Sequence, residues 1–230
     1  MQNFKVGKNN LEQCVGIRVG PVVAANDKKE TELSWDNYKE AVLEEMRTLD
    51  EERRDEAEED VVTETRLGVL TSASIQFTFL GSNISNPVRI QFNNQNSSFV
   101  LYNLARMKQI LRTFDQCVAR NEYPPLPSSQ NINFELLSEP EEWEMMFNFV
   151  LNYQNVIQEC CRTLSLHKLV ISLCSFVSCF SRYYNRVKIL KDPLPHLVPI
   201  VHAKIYFIKT ISEVTIKALD ILNISYISKM

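Results

Sequence analysis

The sequence predicts a mainly α chain, in which a helical bundle over residues 95–230 follows a small α+β part over residues 1–94. Two observations carry that expectation. All five glycines (Gly7, Gly16, Gly20, Gly68 and Gly81) fall in the first 81 residues, so the following 149 contain none. A stretch of that length without glycine lacks the residue that adopts positive φ freely in tight hairpins, and it has no glycine-rich loop to cradle a phosphate. Within it, apolar residues recur at helical spacing, whereas the β-branched, glycine-bounded run at 14–23 lies before it. With 230 residues, 45% of them hydrophobic, the chain can bury one sizeable core or two small ones.

Residues 14–23, Cys-Val-Gly-Ile-Arg-Val-Gly-Pro-Val-Val, read as a strand or hairpin, and Asn26-Asp-Lys-Lys-Glu30 as a charged loop. Ser34 is placed to cap a helix over 34–46. The next segment, 50–60, holds eight acids and reads as a solvated helix end or connector. A second helix is expected over 65–79 and a short strand over 88–92. The helix that opens the bundle carries a core stripe, Val100, Leu104, Met107, Leu111, Phe114 and Val118. Tyr102, Arg106, Lys108 and Arg112 are left for a second face. Either an ordinary amphipathic core helix or a helix that also touches a partner gives that pattern.

Three prolines in Tyr123-Pro-Pro-Leu-Pro127 force an extended crossing. Pro140-Glu-Glu-Trp143 starts a helix with proline near N1 and acids in the first turn, which suits the helix dipole. Trp143, Met146, Phe147, Val150 and Leu151 are expected to face the core there. A long apolar helix over 164–189 follows, then Asp192-Pro-Leu-Pro195, and a last helix over 199–222. The second part should therefore hold four or five helices.

The formal charge of −3 conceals a segregation. Residues 1–95 carry 11 Lys and Arg against 17 Asp and Glu, while residues 162–230 carry 10 against 3. A basic end on an acidic chain is the footprint expected for a polyanion, although lysines on solvated helix faces give the same count. The six cysteines, at 14, 117, 160, 161, 174 and 179, form no C-x-x-C pair and no Cys/His cluster, so reduced thiols are expected, with no metal site and no disulfide framework. No cofactor is expected. The N-terminus lacks an apolar signal core, and the greasiest run, 169–180, is too short to span a bilayer. A cytoplasmic protein with no membrane contact is the resulting expectation.

The second part resembles the DALR anticodon-binding helical bundle found at the C-terminus of arginyl-tRNA synthetases. In that family an aromatic-x-x-Tyr-x-x-x-Arg helix opens the bundle, matched here by Phe99, Tyr102 and Arg106. A later helix ends in a tyrosine-bearing turn, matched by Phe180-Ser-Arg-Tyr-Tyr-Asn-Arg-Val-Lys-Ile-Leu190, and the chain closes on a helix and a terminal Met, here Met230. The first part is similar to the end of a class I synthetase catalytic domain. Residues 20–29 sit where the family has its lysine-bearing ATP loop, and residues 67–77 where it has the helix joining the domains. The adenylate motif is missing, since His167, His196 and His202 are the only histidines and none belongs to a His-x-Gly-His. Without that half-site the loop lysines have no phosphates to stabilise, so aminoacylation is not expected.

With Glu141-Glu-Trp143 and the Tyr183-Tyr-Asn-Arg segment, the chain looks closest to a catalytically decayed animal branch of the family. That resemblance implies a tRNA-recognition subunit that selects arginine tRNAs and delivers them to a tRNA 3-methylcytidine methyltransferase. It also implies a longer N-terminus than this chain has. It places Tyr184 and Met230 against the anticodon, and Lys188 where some members carry an aromatic, making a phosphate contact the expected replacement. Arg182 and Arg186, four apart on a helix, could line the same edge as Lys188 and Lys191. Of the adjacent Tyr183 and Tyr184, at most one should point outward. Phe99, Tyr102 and Arg106 are expected to brace the bundle, His196 to lie in a loop, and His167 and His202 to be surface or capping residues. Two other readings stay open: a C-terminal fragment of an arginine-tRNA ligase, and a helical protein-interaction scaffold.

Overall fold

A computed structural model describes residues 17–24, 34–51, 60–90 and 96–226. Of residues 24, 49–51, 60–63, 96 and 97 it describes the backbone alone. The chain is mainly helical with one small sheet. Strand β1 (Val22–Ala24) pairs in parallel with β2 (Val88–Ile90), Val22 opposite Val88. Parallel strands need a crossover, and α1 (Trp35–Glu51) with α2 (Asp60–Leu80) supplies it. Of the strand or hairpin expected at 14–23, Val22 and Val23 belong to strand β1, which finds its partner across this crossover, and residues 14–16 lie outside the described residues. Gly20 allows the close approach: a Cβ there would lie 2.0 Å from the Asn86 carbonyl oxygen. Ser34 caps α1 as expected, its Oγ accepting from the Asn37 N–H at 3.1 Å. The loop at 26–30 lies outside the described residues, as does most of the acidic segment 50–60.

The bundle opens with α3 (Asn96–Ala119). Val100, Leu104, Met107 and Phe114 are buried, with Leu111 and Val118 half-buried behind them. The proline segment then runs extended to α4 (Pro140–Met145), a π-helical turn (Met146–Leu151) and α5 (Tyr153–Thr163). Leu164, in the left-handed region at φ 51°, ends α5. The apolar helix therefore begins later than its composition predicts, as α6 (His167–Arg186), and α7 (Val198–Ile221) closes the bundle. α7 is central: Val201, Ala203, Ile205, Phe207, Ile208, Ile211, Ala218 and Leu219 are all buried, and it packs on α3, α6 and the π turn. A helix apolar round most of its circumference belongs in a core. One continuous cluster of buried side chains runs from Tyr38, Val42 and Met46 of α1 through Phe77 of α2 to Leu222 and Ile224.

One expected face is wrong. Trp143, Phe147 and Leu151 do not enter the core; they are 42%, 58% and 62% exposed. Met145 and Phe149 are buried instead, with Met146 and Val150 at the margin. A π turn winds more residues per turn than an α-helix, which changes which side chains share a face. The apolar residues alone do not reveal that register change. His202 also departs from expectation: it is buried on α7, edge-on to Phe114 at 6.0 Å, with Nε2 3.3 Å from the Pro124 carbonyl.

Candidate nucleic-acid interface

The C-terminal half of α6 and the facing side of α3 bring the expected brace and an expected contact residue into one assembly. Tyr102 and Arg106 lie one turn apart on α3. The Arg106 guanidinium sits 4.1 Å from the Tyr102 ring centroid and 4.9 Å from that of Tyr184 on α6, and it donates to the Tyr102 hydroxyl at 2.9 Å. It is thus held against two tyrosine faces, a cation–π arrangement that orders a long side chain near the surface. Tyr184 is exposed and Tyr183, its neighbour, is fully buried, so one of the pair points outward as the adjacent positions require.

Tyr183 belongs to a second arrangement that the sequence did not announce. Its hydroxyl donates to Glu142 Oε1 at 2.6 Å, Glu142 Oε2 accepts the Glu139 backbone N–H at 3.0 Å, and Lys204 Nζ of α7 lies 3.7 Å from Oε1. All three side chains are buried. Burial, with the neighbouring carboxylate, pushes the Tyr183 hydroxyl well above the usual range, and burial lowers Lys204. A Glu at N3 of a proline-started helix signals a cap, but not that its other oxygen reaches two distant helices.

The basic residues separate. Arg186 turns to the start of α4, donating to Glu139 Oε2 at 2.8 Å and Glu141 Oε2 at 2.6 Å, and it holds the Glu141 carboxyl below its ordinary value. Val187 is extended, with its N–H bonded to the Tyr183 carbonyl at 2.8 Å, and α6 stops there. Lys188 and Lys191 therefore follow in the loop. Lys188 is exposed, 3.7 Å from Asp192; Lys191 is half-buried and its carbonyl accepts the Tyr123 hydroxyl. Arg182 is exposed and makes no ion pair among the described residues. Phe99 is half-buried and its carbonyl is bonded by Asn103 Nδ2 at 2.8 Å. Met230 lies outside the described residues. Four residues before it, Tyr226 lies under Lys108 of α3, at 4.2 Å from Nζ to the ring centroid.

At about 100° per residue, Gln109 of α3 falls between the Arg106 side and the Lys108 side of the helix, and Gln109 is exposed. Tyr102, Arg106 and Tyr184 form one aromatic–cation group, and Lys108 with Tyr226 forms a second on a nearly opposite side of α3, about 160° round from Arg106. Planar aromatic faces beside cations are the elements with which proteins hold unstacked bases and their phosphates. His167 lies beside Ser165, Nδ1 to Oγ 2.9 Å, and His196 lies in the exposed turn before α7.

Known proteins resemble the chain over much of its length. Residues 100–230 match the family described as the DALR anticodon binding domain. The chain is 27% identical over 182 residues to the DALR anticodon-binding domain-containing protein 3 of Danio rerio, covering 70% of this chain and 33% of that protein. It is 28% identical over 141 residues to an arginine-tRNA ligase of Borrelia garinii, covering 61% and 22%. In structure it is similar to the arginyl-tRNA synthetase of Thermus thermophilus, with a TM-score of 0.68 at 16% identity over 91% of this chain and 34% of that one. The chain spans about a third of the length of the DALR-domain proteins it matches.

Proposed function

The chain belongs to the DALR anticodon binding domain family, and from that premise we propose a non-catalytic tRNA-binding adaptor that recognises arginine tRNAs through the anticodon region. The observation that carries this reading is the Tyr102–Arg106–Tyr184 stack at the surface. Anticodon-loop bases are already splayed, so an exposed tyrosine face can take one at about 1–3 kcal/mol while nearby cations hold the flanking phosphates. In this assignment Tyr184 stacks, Lys188, Arg182 and Lys191 meet phosphates, and Met230 completes the anticodon contact. Arg186, its charge matched by Glu139 and Glu141, contributes through the position of α6. The adaptor then supports 3-methylcytidine formation by a partner methyltransferase in the cytoplasm, with catalysis on the partner.

An electrophoretic titration of the full chain with arginine tRNAs and with other tRNAs, at two salt concentrations, tests the reading. Preference for arginine tRNAs supports it. Equal affinity for all with a steep salt slope reduces it to backbone binding. A second reading, part of an arginine-tRNA ligase, has in its favour the similarity to the Borrelia garinii ligase; a His-x-Gly-His in coding sequence upstream would establish it.

A further inference from the structure

From the exposed ridge of α4 and the π turn we infer a second interface, which docks a basic amphipathic helix of a partner protein and does not contact RNA. The ridge is Trp143, Phe147 and Leu151, each large, apolar and exposed. An α-helix advances about 40° every four residues, so three such side chains would swing about 80° round the axis. The wider turn over Met146–Leu151 takes back part of that swing, keeping the three close to one line. The ridge is also ordered before any partner arrives. Trp143 Nε1 donates to the Leu137 carbonyl at 2.8 Å, and the Trp143 and Phe147 rings stack at 5.9 Å and 28°. Little side-chain entropy remains to be lost on binding, which is the property of an interface anchor.

Charge identifies the occupant. Residues 121–161 contain seven glutamates and no Lys, Arg, His or Asp, an acidic block beside a last third of opposite sign. Arg186 holds Glu139 and Glu141, Lys204 faces Glu142, Arg162 and Lys168 hold Glu159, and Arg120 lies 4.0 Å from Glu122. Glu135 and Glu144 are exposed and make no ion pair among the described residues. Glu144 follows Trp143 about 100° round the helix, its carboxylate accepting from the Cys179 thiol of α6, and Glu135 lies in the short 3-10 turn Phe134–Leu136, just before the Leu137 carbonyl that anchors the indole. A nucleic acid would bring phosphates to this acidic rim. A helix with an apolar stripe and flanking Lys or Arg covers the ridge and neutralises both glutamates.

The test uses the full chain and an 18-residue peptide of Leu and Lys with Leu at amphipathic helical spacing, its Leu/Glu counterpart, and tRNA, with affinities read by fluorescence anisotropy. The Leu/Lys peptide should bind, the Leu/Glu peptide at least about tenfold more weakly. Phe147→Glu and Leu151→Glu should each weaken the Leu/Lys peptide about tenfold, and Glu144→Lys severalfold, with melting temperature and tRNA affinity unchanged. Peptide affinity indifferent to these variants overturns the inference. So does loss of tRNA affinity in Phe147→Glu, which would make the ridge an RNA surface. Sedimentation as a dimer that Phe147→Glu dissociates would also overturn it, the occupant then being a second copy of the chain.

Discussion

Glu142 accepts from a tyrosine hydroxyl and a backbone N–H and faces a buried ammonium, so a side chain that would be costly to bury alone becomes the junction of α4, α6 and α7. Removing one donor leaves the carboxylate under-satisfied: Tyr183→Phe should cost about 1–3 kcal/mol of unfolding free energy. Lys204→Met leaves the buried charge uncompensated and should cost more, about 3–5 kcal/mol. Urea unfolding of both variants at pH 7 gives the order; a Lys204→Met less damaging than Tyr183→Phe would mean the ammonium contributes nothing. The thiols differ by position in a similarly checkable way. Burial pushes Cys174 and Cys179 up to about 11, while Cys161 is exposed. Brief iodoacetamide treatment at pH 8 should modify Cys161 and spare Cys174 and Cys179, since the thiolate is the reacting form; mass spectrometry reads the sites.

At the level of elements, the Arg186 clamp ties the last turn of α6 to the first turn of α4, fixing the direction in which Tyr184 leaves the bundle. Its pH dependence has a definite sign. Glu141 is held below its ordinary value by Arg186, so the pair stabilises above the unfolded carboxylate pKa and loses that contribution as pH falls through the lower folded one. Arg186→Gln should therefore destabilise at pH 7 and much less at pH 3, and only modestly even at pH 7 because the guanidinium is half exposed. The same cost at both pH values, by urea unfolding, would assign the effect to packing. The helices themselves were legible because caps and breakers state their ends: Ser34 before α1, Pro140 at the start of α4, the Asp192-Pro-Leu-Pro195 break before α7. The face of α4 and its π turn was not, because the exposed Trp143, Phe147 and Leu151 and the buried Met145 and Phe149 are apolar alike, and residue type alone does not say which set faces the core. The buried Glu142–Lys204 contact was equally illegible, since nothing local in either segment records a neighbour on another helix.

The molecule as a whole segregates its charges in sequence but pairs many of them in space. The acidic block 121–161 takes Arg186, Lys204, Arg162 and Lys168 out of the basic third as internal counter-ions, so the excess positive charge of residues 162–230 overstates what a polyanion meets. Among the described residues, the exposed cations near the Tyr184 edge that no carboxylate clamp holds reduce to Arg182 and Lys188, with the half-buried Lys191 and, beside Tyr226, Lys108 contributing partly. Three or four phosphate contacts on an unpaired loop imply a slope of log affinity against log salt of about −2 to −3, at about −0.7 per contact. Lys188→Ala should lower tRNA affinity at 50 mM salt and flatten that slope by about 0.7. Arg186→Ala, whose charge is already matched by two carboxylates, should leave the slope nearly unchanged even where it lowers affinity by loosening α6. A salt series on these two variants thus separates a cation that faces phosphate from one that positions the helix. If Arg186→Ala flattens the slope as much as Lys188→Ala, the clamp opens on binding and Arg186 joins the contact edge.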